Sequence, residues 1–184
     1  MIPKERLIQE IEVPEGVTVD FKDRIVTVNG PKGSVSKKIM TKAIIIEIKD
    51  GKVVISPNVK TSRSEKCLIN TNRAHIVNMI KGTQEPYTYK LKVCSSHFPM
   101  SVKINGQELV VNNFIGEKVN RVLKLKEGVD VKLDGDVISV TSCNKELAGQ
   151  VAGDIEKLTK RSGFDKRIFM DGIYIIEKAG VELQ

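Results

Sequence analysis

Residues 13 to 39 read VPEGVTVDFKDRIVTVNGPKGSVSKKI, and residues 98 to 125 read FPMSVKINGQELVVNNFIGEKVNRVLKL. Both stretches alternate apolar and polar residues and place turn residues at matching points. Setting Gly33 on Gly116 gives an offset of 83, which pairs Val19 with Val102, Phe21 with Ile104, Val26 with Leu109 and Val28 with Val111. These are the inward positions of period-two strands. Further on, Asp50-Gly51-Lys52-Val53-Val54-Ile55 is echoed by Asp134-Gly135-Asp136-Val137-Ile138-Ser139 at an offset of 84. Each half then runs into a helical segment before Gly82 or Gly163, at an offset of 81. A fixed period with small drifts describes two tandem copies of one small domain.

The 184 residues fit that arrangement, since halves of about 90 residues each bury a modest core. No apolar run approaches the ~18 residues of a membrane span, and the opening MIPKERLIQEIE lacks a signal-peptide core. The expectation is a cytosolic or nuclear protein. Cys67, Cys94 and Cys143 show no paired short spacing, so they read as small buried apolar residues, without a disulfide framework or zinc site.

The net charge of +7 favours polyanionic partners. Residues 1 to 90 hold 16 Lys and Arg against 10 Asp and Glu, while residues 91 to 184 hold 14 against 13. The second half nevertheless concentrates its cations. Lys157, Lys160, Arg161, Lys166 and Arg167 lie beside a single acid, Asp165, and Lys118, Arg121, Lys124 and Lys126 follow Gly116. Clustering outweighs totals, because phosphate contacts act within a Debye length of ~8 Å.

Alternation predicts strands at Val17 to Phe21 and Ile25 to Val28, and a hairpin at Asp50-Gly51 between Ile44 to Ile48 and Val53 to Ile55. Ser62-Arg63-Ser64-Glu65 has the form of a capping box opening a helix that Gly82 would end, with Leu68, Ile69, Ile76, Val77 and Ile80 on its apolar face. A second helix from about Asn144 carries Leu147, Ala148, Val151, Ala152, Ile155 and Leu158 in one stripe, with Lys157, Lys160 and Arg161 complementing its carbonyl end. After Gly163, a last hairpin would join Ile168-Phe169 to Ile173 to Ile176 through Asp171-Gly172. The expected class is α+β: two tandem copies, 1–83 and 84–184, each with antiparallel β-sheets and one main α-helix around a single core.

Nothing in the chain spells an active site. Gly30-Pro31-Lys32-Gly33 lacks the spacing and hydroxyl of a phosphate-binding loop and reads as a turn, with phosphate contact by Lys32 secondary. His75 and His97 have no Cys, Asp or second His at metal or triad spacing. No cofactor, metal or catalytic residue is therefore expected. Aromatics make up only 4% of the chain, and no stretch matches the stacking signature of single-strand RNA-recognition sheets. A basic surface of this kind suits folded, double-helical RNA contacted through its backbone and 2′-hydroxyls.

Five motifs occur in order: Val28-Asn29-Gly30-Pro31-Lys32-Gly33, Asn78-Met79-Ile80-Lys81-Gly82, His97-Phe98-Pro99, Asn113-Phe114-Ile115-Gly116-Glu117-Lys118, and Asp165-Lys166-Arg167-Ile168-Phe169-Met170-Asp171-Gly172-Ile173-Tyr174. On this duplicated frame the chain closely resembles the universal large-subunit ribosomal protein family numbered six in bacteria and nine in eukaryotes, in its archaeal and eukaryotic form. The resemblance implies a non-enzymatic protein of the large subunit that binds rRNA chiefly through its second domain, near the sarcin-ricin loop and the translation-factor site. Its partners would be large-subunit rRNA and neighbouring ribosomal proteins, with no membrane and no small-molecule substrate. The location would be the cytoplasmic ribosome, with nucleolar assembly in a eukaryote.

By the same resemblance the RNA-facing residues would be His97, Asn113, Gly116, Lys118 and Arg121, with Lys160, Arg161, Lys166, Arg167, Asp171, Gly172 and Lys178 nearby. Lys32 and Lys81 are weaker candidates. The chain departs from the family pattern at Val59-Lys60-Thr61, where a tryptophan pair is usual, and in trimmed loops near Asp50 and Asp134. A module binding another structured RNA is the alternative reading. A phosphate-ester enzyme using the glycine-rich turn is a distant third.

Overall fold

The computed structural model describes residues 7–39, 44–49, 51–58, 62–96, 98–165 and 167–183. The chain divides into two compact units, Met1–Pro86 and Tyr87–Gln184. Asp50 and Val59 to Thr61, at which the sequence departs from its resemblance, lie outside the described residues.

The first unit has two three-stranded antiparallel sheets and one helix. Strands β1 (Gln9–Glu12), β6 (Lys52–Pro57) and β5 (Ile44–Lys49) form one sheet in that order, and β2 (Thr18–Lys22), β3 (Ile25–Gly30) and β4 (Gly33–Lys38) form the other. Helix α1 (Arg63–Gln84) packs against strands of both. Its start obeys the sequence: Ser62 is the N-cap, and its backbone N–H donates to Glu65 Oε2 at 3.2 Å. Its end does not. Gly82 is buried inside the last turn and the helix runs to Gln84, because Lys81's carbonyl accepts the N–H of Glu85 at 2.8 Å and Pro86 follows. The buried face is Ile69, Ile76, Met79 and Ile80, with Leu68 on the exposed side. His75 is half-buried, with its Nδ1 3.1 Å from Lys37 Nζ. An ammonium only donates, so that ring nitrogen is the acceptor.

The second unit repeats the plan. Strands β8 (Ser101–Asn105), β9 (Glu108–Asn112) and β10 (Arg121–Lys124) form a three-stranded sheet. The other sheet has five strands, β11 (Asp130–Asp134), β12 (Val137–Ser142), β7 (Tyr87–Cys94), β13 (Gly172–Lys178) and β14 (Val181–Glu182), in that order. Helix α2 (Lys145–Leu158) packs on β7, β12 and β13 and reaches β10. Asn144 caps it by accepting the N–H of Glu146 at 3.0 Å. Residues of both sheets and of α2 share a single core, in which Leu91, Leu109, Phe114, Ile138, Ile155 and Ile173 are almost wholly buried. Gly149 lets the helix approach β7, since a Cβ there would stand 3.1 Å from the Tyr89 hydroxyl.

The strand registers show where the internal repeat holds. Val19 pairs with Val28 and Phe21 with Val26, while Val102 pairs with Val111 and Ile104 with Leu109. The offset of 83 is therefore kept across the first hairpin of each copy. The anchor of Gly33 on Gly116 is corrected by the next strand: Val28 pairs with Val35 but Val111 pairs with Arg121, an offset of 86. The second copy has inserted three residues into that connection. The following hairpin is displaced as well. Lys49 pairs with Lys52 around Asp50-Gly51, and Asp134 with Val137 around Gly135-Asp136, an offset of 85 that puts buried Val53 and Ile55 on buried Ile138 and Val140. Aligning the two Asp-Gly pairs slipped the strand by one residue and would have turned its core face outward.

Two further expectations are corrected. Helix α2 ends at Leu158, five residues before Gly163. Ile168-Phe169 is not a strand: the Asp165 carbonyl accepts the N–H groups of both Ile168 and Phe169, which winds the segment into a turn. The partner of β13 is instead β7, from Gly172↔Cys94 onward. The alternating Tyr87–Cys94 segment thus lies between β12 and β13 in the larger sheet.

Candidate nucleic-acid interface

The three-residue insertion builds one side of the candidate site. Between β9 and β10 the chain forms a short 3-10 turn, Phe114–Gly116, with left-handed backbone at Asn113 (φ 55°), Ile115 (φ 49°) and Gly116 (φ 72°). Asn113 Nδ2 donates to the Pro99 carbonyl at 3.0 Å, and a Cβ on Gly116 would lie 3.4 Å from the Phe98 ring. Two sequence motifs, Phe98-Pro99 and Asn113 to Gly116, are thereby brought together. We expect Gly116→Ala to destabilise the second unit by about 1 to 2 kcal/mol, from left-handed backbone strain. Urea unfolding checks this, and an unchanged midpoint would show that the turn adapts freely.

Arg121 stands in the register position that Val35 holds in the first copy, and it is engaged inside the fold. Its Nε and Nη2 donate to the two Glu117 carboxylate oxygens at 2.8 and 2.7 Å, and its Nη1 donates to the Leu158 carbonyl at 2.6 Å. The guanidinium carbon lies 4.3 Å from the Phe114 ring centroid. Glu117 is held below its ordinary pKa, first by the Arg121 hydrogen bond and then by the charges of Arg121 and Arg161. Arg121, which the resemblance places among the RNA-facing residues, braces the fold here, tying the 113–120 connection to the carboxyl end of α2.

That helix end borders a cleft of about 340 Å³. Its walls include Ile115, Phe164, Phe169 and Tyr174, and Lys157, Lys160 and Arg161 lie along it. Phe164 and Phe169 meet edge to face, with centroids 5.2 Å apart at 84°. Arg161 sits 4.3 Å over the Phe164 ring and 3.7 Å from Glu117 Oε1. Burial raises the pKa of the Tyr174 phenol, with the nearby Asp171 and Glu156 carboxylates acting in the same direction. Asp165 is engaged by Arg167, whose Nε and Nη2 donate at 3.1 and 2.8 Å and whose backbone N–H donates at 2.9 Å. These bonds lower the Asp165 pKa, the side-chain bond most.

The candidates therefore separate. Lys118, Lys160 and Lys178 are exposed and make no side-chain hydrogen bond or ion pair among the described residues, as does Lys157. Arg167 is exposed beyond its pairing with Asp165. Asp171 is buried at 4% exposure and accepts the Ser96 N–H, so it orders that loop from within. Gly172 is also buried, and a Cβ there would meet the Tyr174 hydroxyl at 3.2 Å. Its small size leaves room for that phenol. His97 and Lys166 lie outside the described residues. In the first unit, Lys32 gives its backbone N–H to the Thr83 carbonyl at 3.0 Å, and Lys81 is exposed near the end of α1.

Sequence reasoning missed Glu117, Thr159, Phe164 and Phe169 as parts of this site. Thr159 Oγ1 accepts the Ile173 N–H at 2.9 Å and ties α2's end to β13. The available signal for Phe164 is its place in Arg161-Ser162-Gly163-Phe164, an aromatic next to a cation; the residue is 37% exposed.

Comparison with known proteins agrees with this architecture. A family model described as Ribosomal protein L6 matches twice, over residues 13–86 and 98–172, once in each unit. The chain is 42% identical over 174 residues to Large ribosomal subunit protein uL6 of Methanosarcina mazei, covering 94% of this chain and 98% of that protein. It is 41% identical over 172 residues to the protein of the same name from Methanococcus vannielii, covering 94% of each. Two family matches on two copies of one fold, with near full-length identity above 40%, place this chain in the ribosomal protein L6 family.

Proposed function

We propose that this protein holds an rRNA surface of the large ribosomal subunit near the sarcin-ricin loop and the site where translation factors act, chiefly through its second unit. The coarser statement needs no proposal: the chain is a large-subunit ribosomal protein of the L6 family, a structural constituent and not an enzyme. Its partners are accordingly rRNA and other ribosomal proteins, and its place is the ribosome. The observation that supports the finer reading is the state of the charges at one end of the second unit. Glu117 and Asp165 are engaged by arginines, while Lys118, Lys157 and Lys160 have no side-chain partner among the described residues. Such a surface attracts phosphates without first breaking ion pairs of its own.

In a density gradient of cell lysate, the protein should run almost entirely with large-subunit particles. A pool bound to some other RNA would favour the alternative reading. Binding of the full chain to deproteinised large-subunit rRNA should weaken steeply with salt. Lys160→Ala should flatten the slope of log affinity against log salt by roughly 0.7 to 0.9 for each phosphate that the lysine no longer neutralises. Lys32→Ala should do less. Hydroxyl-radical footprints on that rRNA test the location, and protection far from the sarcin-ricin loop would remove that part of the proposal.

A further inference from the structure

The cleft at the end of α2 has more apolar surface than phosphate binding requires. We propose that it receives one unpaired nucleobase of the bound RNA, turned out of its helix and stacked on the aromatic wall. The proposal rests on the RNA reading above and adds a ligand class and a place. Three observations carry it. The cavity, about 340 Å³, is within the range that holds small ligands. Its wall is a corner of two rings at 84°, Phe164 and Phe169, with the Arg161 guanidinium over the first. Flat aromatic and guanidinium surfaces are what unstacked bases settle against, and this preference tolerates any base.

The third observation is electrostatic. A helix carboxyl end ordinarily repels a nucleotide's phosphates, because its last carbonyls point outward unpaired. Here they are occupied. The Glu156 carbonyl accepts the Thr159 hydroxyl at 3.3 Å, that of Lys157 accepts the Lys160 N–H at 3.0 Å, and that of Leu158 accepts Arg121 Nη1 at 2.6 Å. Of the nearby carboxylates, Glu117 is paired with Arg121, while Asp171 and Glu156 each accept one backbone N–H, from Ser96 and, at 3.5 Å, from Ile175; the second Asp171 oxygen is buried without a hydrogen-bond partner among the described residues. The cleft's charged lining is then three cations, Lys157, Lys160 and Arg161, against two carboxylates, Glu156 and Asp171, so the positive side prevails. Base in the apolar corner and flanking phosphates on the lysines satisfy both halves of the site. This also gives Arg121 a purpose beyond bracing, since it offsets the helix end beside the nucleotide.

The test compares the full chain with Phe164→Ala and Phe164→Leu on deproteinised large-subunit rRNA, reading affinity, hydroxyl-radical protection of the backbone and protection of bases from a base-modifying reagent. The wild type should shield one unpaired base. Phe164→Ala should lose that protection, keep the backbone footprint and bind roughly five- to a hundredfold more weakly. Phe164→Leu, which keeps apolar bulk without a ring, should behave like the alanine variant, and Phe164→Trp should restore binding. Near-wild-type affinity and base protection in Phe164→Leu would overturn the base site while leaving the RNA reading standing. Failure of the wild type to bind rRNA at all would overturn both. If Phe164→Ala binds RNA normally but no longer enters large-subunit particles, the cleft holds a protein segment and the proposal is wrong.

Discussion

Arg121→Ala is expected to lower the stability of the second unit by about 2 to 4 kcal/mol, the range for removing a charged donor whose partners then stay partly buried and unpaired. The side chain is only about a quarter exposed and serves three elements at once: the Glu117 carboxylate, the Leu158 carbonyl and the Phe114 ring. For a unit of this size, about 4 to 8 °C of melting temperature accompanies each kcal/mol, so the transition should fall by roughly 10 °C or more. Arg121→Lys should recover less than half, because an ammonium cannot reproduce the planar fork that reaches both carboxylate oxygens and the carbonyl. A loss below about 0.5 kcal/mol would reduce the network to a surface ion pair.

The same network fixes a pH dependence. Glu117 has its pKa depressed in the folded protein, so its contribution is fully present above the ordinary glutamate value, roughly pH 4.3, and is lost as pH falls through the lower folded value. Acid unfolding of the wild type should therefore be steeper in that range than that of Arg121→Ala. Equal slopes would mean that Glu117 titrates independently of the arginine.

Gly30→Ala should destabilise the first unit by about 2 to 3 kcal/mol, for a different reason. The glycine is outside the left-handed region, so alanine brings no backbone strain. The obstacle is contact: a Cβ would stand 2.7 Å from Thr83 Cβ and 3.0 Å from the Thr83 carbonyl oxygen, and Thr83 is fully buried. Relief would require the hairpin tip to lift off α1, breaking the Lys32 N–H to Thr83 carbonyl bond. Thr83→Ser cannot rescue, since the clashing Cβ remains. A double-mutant cycle with Thr83→Gly should show favourable coupling of about 1 kcal/mol or more. If Gly30→Ala is neutral in urea unfolding, the hairpin does not dock as described.

What the sequence determined by itself was whatever rests on local period and local caps. Val19, Phe21, Val26 and Val28 announced their inward faces and their counterparts 83 residues on, because strand side chains alternate whatever surrounds them. Ser62 to Glu65 and Asn144 marked helix starts, since capping is settled within one turn. Ordered motifs on a duplicated frame were enough for the family. Tertiary structure decided the rest. Residues of identical type, Gly33 and Gly116 or the two Asp-Gly pairs, aligned in sequence but not in the ladders, because inserted residues are absorbed in loops and only pairing across strands sets register. Charge alone could not sort the cations. Lys160 and Arg121 look alike in a string of letters, and what separates them is Glu117, the Leu158 carbonyl and the Phe114 ring, 37 residues or fewer away in the chain. An arginine's role depends on which acceptors the fold brings within about 3 Å, a property of packing that no count of charges contains.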